Sequence, residues 1–128
     1  MAKIVSGDFT AIVEHVIESL KAEGFGVLTE IDVKATIKKK INIDFRDYRI
    51  LGACGPPLTH QALNADDKIG TMLPCSVIVQ DLVGGQIEVA AINSAISMEK
   101  VGNPKLKMIM ESVTNKLMRV VAAIIGSP

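Results

Sequence analysis

The chain has 128 residues, 48% of them apolar, with fourteen Lys and Arg balanced by fourteen Asp and Glu. That length predicts one domain over residues 1–128 with a real core. Neutral charge with no Trp, one Tyr and three Phe argues against nucleic acid, whose binders carry a basic surplus and stacking platforms. No apolar run approaches the roughly 20 residues of a membrane helix, and the start lacks a signal peptide's apolar segment, so a cytoplasmic protein without membrane contact is expected.

Ala2 to Val5 reads as a short strand. Asp8 or Ser6 then caps a helix running to about Glu23, stopped by Gly24. Its apolar stripe is Phe9, Ile12, Val13, Val16, Ile17 and Leu20. His15 falls off that stripe beside Ala11, Ser19 and Ala22, a face read as solvent-facing. From Gly24 to Asp32, Val27, Thr29 and Ile31 alternate with Leu28 and Glu30, as in a half-buried strand. Asp32 caps a short helix from Val33 to about Lys40, and the run Lys38-Lys39-Lys40 is a solvated face.

A link through Ile43 and Phe45 leads to a strand from Tyr48 to Cys54. After Gly55-Pro56-Pro57 a short helix is expected from Leu58 to about Asn64, and residues 65–72 read as a loop with the charge cluster Asp66-Asp67. Leu73 to Leu82 is the clearest strand: Leu73, Cys75, Val77 and Val79 share one face, while Ser76 and Gln80 take the other. Gly84-Gly85 signals a hairpin turn, and the returning strand over 86–93 sets Ile87, Val89 and Ala91 against Glu88 and Ala90.

Asn103-Pro104 opens the last helix, which runs to about Ile125. Leu106, Ile109, Met110, Val113, Leu117, Val120, Val121 and Ile124 form its apolar stripe. Met108, Met118 and Ala122 lie opposite among polar residues, where methionine's adaptability would suit a partner. The element order predicts an α+β sandwich: a largely antiparallel sheet of at least four strands with two long helices on one face. Val13, Val16, Leu20, Val77, Val79, Val89, Val113, Leu117 and Val120 are its expected core.

Chemistry would centre on Cys54 and Cys75. Cys54 shares its strand face with Tyr48, Ile50 and Gly52, and Gly52 leaves room for another group to approach the backbone. Pro56 and Pro57 stiffen the turn after it, and a helix starting nearby would favour a thiolate. Pro74 places Cys75 similarly, so the two thiols could converge if their strands are neighbours. His60 lies one helical turn beyond Gly-Pro-Pro and could fold back toward Cys54. The opposing reading is that free cysteine commonly just fills core space. No CxxC, structural zinc spacing, GxGxxG, P-loop, GxSxG or HExxH occurs, so no metal is expected and no cofactor is indicated.

Gly24-Phe25-Gly26, Glu30 with Asp32, Leu51-Gly52-Ala53-Cys54-Gly55-Pro56 and Leu73-Pro74-Cys75, in register from about Asp8 to Ala91, resemble the domain-of-unknown-function family numbered 302. Gly55 departs from that pattern, where an Asn often precedes the proline. The resemblance implies a fold like that of the TATA-binding protein, with a curved antiparallel sheet packed by two long helices, and implies no activity. The expected function is a small homodimeric ligand-binding or interaction module without catalysis of its own, whose partners are a second copy and a small-molecule ligand. The alternative is a thiol-dependent redox or metal-binding protein using Cys54 and Cys75, with His60, Gly55 and Pro56 beside them.

Overall fold

The structure, a computed structural model, describes residues 1–97 and 102–126. The elements in chain order are β1 (Ala2–Ser6), α1 (Phe9–Ala22), β2 (Gly26–Asp32), α2 (Val33–Ile41), β3 (Tyr48–Cys54), α3 (Pro56–Ala65), a 3₁₀ helix (Asp67–Met72), β4 (Cys75–Val83), β5 (Gln86–Ala91), α4 (Ser94–Ser97) and α5 (Pro104–Ala123). The five strands form one antiparallel sheet in the order β1-β5-β4-β3-β2.

α1, α2 and α5 each begin where a short polar side chain takes up free amides. Asp8 accepts from Ala11 N at 3.0 Å, Asp32 from Ala35 N at 3.0 Å, and Asn103 from the amides of Lys105 and Leu106. Between β4 and β5 both Gly84 and Gly85 have positive φ, 64° and 80°, as a tight hairpin twisting with its strands demands.

Strand alternation sorts the sheet into two faces. Val5, Leu51, Ala53, Cys75, Val77, Val79, Ile87, Val89 and Ala91 turn toward the helices and are buried. α1 and α5 close this face with Val13, Val16, Leu20, Val113, Leu117 and Val120, and all nine expected core residues are buried. Each such side chain contributes about 1.5–3 kcal/mol by leaving water.

Four local expectations change. β2 is an edge strand with no fully buried residue, because a bulge at Leu28 breaks its alternation between Val27 and Thr29 and leaves Leu28 exposed. α3 starts at Pro56 rather than Leu58, since first-turn amides have no helical partner and prolines there lose nothing. Residues 67–72 form a 3₁₀ helix rather than a loop: Ile69 anchors it in the core, and Asp66 accepts from Lys68 N at 2.9 Å. α4 follows β5 as a single turn that apolar periodicity does not mark.

The face of α1 carrying His15 and Ser19 also meets protein rather than bulk solvent. Ser19 Oγ donates to Val120 O at 3.3 Å, and Ile125 N donates to His15 Nε2 at 3.3 Å. Arg119 Nε donates to Glu23 Oε1 at 2.8 Å. Small side chains let α5 approach there, and polar ones fasten its C-terminal end.

Candidate functional site

The candidate residues gather where the ends of β2, β3 and β4 meet α3. Cys54 closes β3 and Gly55 caps α3, its carbonyl accepting Thr59 N at 2.9 Å. That capped start brings Thr59 Oγ1 to 3.1 Å from Cys54 Sγ. His60, one residue further round the helix, is exposed, with Nε2 3.3 Å from Asn64 Nδ2. Thr59, which sequence reasoning passed over, is therefore the side chain that meets Cys54. Moving the helix start to Pro56 is the signal that would have found it.

β3 and β4 are neighbours, with Ala53 opposite Cys75. Cys54 lies one residue past Ala53, out of phase with Cys75, and both cysteines are free thiols. Cys75 points into the core at 5% exposure, and its Sγ lies 3.3 Å from Ser94 Oγ. Burial pushes the Cys75 thiol above its ordinary value, the Ser94 hydrogen bond pulls the other way, and nearby Cys54 adds a further upward push. A buried, protonated thiol is a poor nucleophile. Thr114 Oγ1 accepts Ala95 N at 3.0 Å beside it, so this polar pocket secures the start of α4.

The sequence motifs brace one another at this corner. A Cβ on Gly52 would stand 2.8 Å from Pro74 Cγ and would also meet Thr29 Oγ1, so the glycine exists for that close approach. A Cβ on Gly55 would lie 3.3 Å from the Phe25 ring. Arg49 binds Glu30 at 2.7 Å and Asp32 at 3.5 Å, holding the end of β2 to β3. Between Phe25, Leu58, Thr59, Leu73, Cys75 and Met110 a cavity of about 10 Å³ remains. That volume admits about one water and no metabolite. Among the described residues, no group of three or more His, Cys, Asp or Glu could hold a metal ion, and no helix is long and apolar enough to cross a membrane.

The surface offers more room than the thiol corner. A groove of about 450 Å³ lies between β1 and α5, lined by Met1, Lys3, Met118 and Ala122, and one of about 290 Å³ lies between α3 and α5, lined by Leu58, Gln61, Lys105 and Met108. The sheet face turned away from α1 and α5 is apolar along its centre. Strand register sets Ile31, Ile50, Ile78, Ala90 and Ala2 side by side, one from each strand. On the same face Ile4 is 53% exposed, Ile31 46% and Ile92 37%. One neighbouring row carries Tyr48, Gln80, Glu88 and Ile4; the row on the other side carries Thr29, Gly52, Ser76 and Ile92. Sequence alternation marked Ser76, Gln80 and Glu88 as the outer positions and so understated how apolar this face is.

Comparison with known proteins agrees with this architecture and adds no chemistry. The model of the domain of unknown function DUF302 matches residues 1–124. The crystal structure of an uncharacterized conserved DUF302 protein from Bacillus stearothermophilus superposes with a TM-score of 0.88 at 27% identity, covering 97% of this chain and 96% of that one. No curated protein matches. The chain belongs to the DUF302 family, with an α+β fold of five antiparallel strands packed by helices.

Proposed function

We propose that the protein is an interaction module with no catalysis of its own, and that its working surface is the sheet face opposite α1 and α5. One observation carries this reading: the row Ile31, Ile50, Ile78, Ala90 and Ala2 runs across all five strands, with Gln80 and Glu88 beside it on one side and Thr29 and Ser76 on the other. A contiguous apolar surface with a polar rim is what a docking face requires. Single exposed apolar side chains need no explanation, but a register-matched row is a different object.

Thiol chemistry has less support. Cys75 is buried with its thiol held protonated, Cys54 hydrogen-bonds to a hydroxyl rather than a base, and His60 turns to Asn64. A nucleophile needs an activating base within reach. A small-molecule ligand, if the module takes one, has the open grooves beside α5 to occupy rather than the thiol corner.

An apolar fluorescent dye tests the reading at nanomolar protein concentration, where weak associations have dissociated. Saturable binding to the native protein is expected, and Ile78→Glu should remove most of it while far-UV circular dichroism stays unchanged. Dye binding that is absent from the native protein, or unaffected by Ile78→Glu, contradicts the reading.

A further inference from the structure

We infer that the occupant of the open sheet face is a second copy of this chain, packed face to face about a two-fold axis running along β4. The inference rests on the reading of that face as the working surface, and it fixes both partner and geometry.

Size comes first. Five strands about 4.8 Å apart and six residues long at about 3.3 Å each present roughly 24 by 20 Å. Two such faces in contact cover about 1,000 Å² before side-chain relief is added, which reaches the lower range of specific interfaces. Sheets packed this way stand about 10 Å apart, a gap that interdigitating isoleucines fill.

The order of side chains along the row then favours one pairing. From β2 to β1 it reads Ile31, Ile50, Ile78, Ala90, Ala2. An axis along the central strand β4 reverses the row in the partner. Large then faces small: Ile31 sits over Ala2 of the second copy, Ile50 over its Ala90, and Ile78 meets its own equivalent. Alternating large and small residues across facing positions is how two apolar layers interlock.

Charge selects the same axis. Arg46 stacks on Phe45 at 4.3 Å from the ring centroid and donates from Nε to Gln80 Oε1 at 2.8 Å. The Gln80 amide donates in turn to Glu88 Oε1 at 2.8 Å. Among the described residues neither Arg46 nor Glu88 has an ion pair, so the two charges communicate only through the Gln80 amide. Reversal about β4 lays β3 on β5 of the partner. Arg46 of each copy then stands over Glu88 of the other, forming two equivalent ion pairs at the edge of the apolar row. An axis across the strands would instead set Tyr48 and Gln80, beside Arg46, against Gly52 and Ser76 and would set Glu88 against Ile92, where no countercharge waits. Such rim pairs set orientation more than affinity.

Sedimentation equilibrium at high micromolar concentration should give twice the 13.7 kDa chain mass. Arg46→Glu and Glu88→Arg should each weaken the dimer about tenfold, and the double charge swap should restore it. Ile78→Cys in a Cys54→Ser background should oxidise to a covalent dimer, because position 78 lies on the axis. A dimer indifferent to the charge swap and uncrosslinked at position 78 overturns the arrangement. A monomer at high concentration that still binds apolar dye overturns the second copy and leaves the working surface standing. A monomer that binds no dye overturns both.

Discussion

Cys75 occupies a position where fold and protonation are coupled. Its folded thiol titrates above the ordinary value of 9.0, mainly through burial, so folding favours the neutral form. The stability this lends is fully present below the unfolded thiol's value and is lost as pH climbs through the folded one. Cys75→Ala should therefore cost about 1 kcal/mol at neutral pH, with the gap to wild type narrowing as pH rises above 9.0, read by urea unfolding. Alkylation of native protein should reach Cys75 only on unfolding. Gly52 tests the corner differently: Gly52→Ala drives a methyl into Pro74 and Thr29 and should destabilise by about 1–3 kcal/mol in the same assay. The glycine's need for close approach was legible in its strand-end position. The identity of what approaches was not, because Thr29 arrives from β2 and Pro74 from the residue before β4.

Among the elements, α5 does most to organise the molecule. It supplies Leu106, Met110, Leu117 and Val120 to the core, and its first turn depends on Asn103, which caps two amides and donates to Ala65 O at 3.1 Å. Asn103→Ala should cost about 1 kcal/mol by thermal unfolding, whereas Leu117→Ala should cost about 2–5 kcal/mol. Both long helices and their stripes were legible because a period of 3.6 repeated over many residues is a strong signal. The contact of His15 with Ile125 and of Ser19 with Val120 was not, since polar residues on a small face look the same beside a helix as beside water. The bulge in β2 was hidden for a related reason: alternation in sequence does not record an extra residue inserted into the ladder.

At the scale of the whole molecule, one layer of helices over one sheet leaves, among the described residues, a sheet face without a covering layer. The sequence announced the layers through its alternating strands, yet read the outer positions of β4 and β5 by their polar residues Ser76, Gln80 and Glu88. Register alone aligns Ile31, Ile50 and Ile78 with Ala90, and register between distant strands is a property of the fold rather than of any window of sequence. That alignment turns scattered isoleucines into a surface and moves the candidate for function from the thiols to the sheet. Sedimentation velocity on two variants at one concentration tests this most directly. The unaltered chain and Cys54→Ser should both sediment as dimers, while Ile78→Glu should sediment as a folded 13.7 kDa monomer; the reverse, a dimer lost with Cys54 and kept with Glu at position 78, would contradict the account.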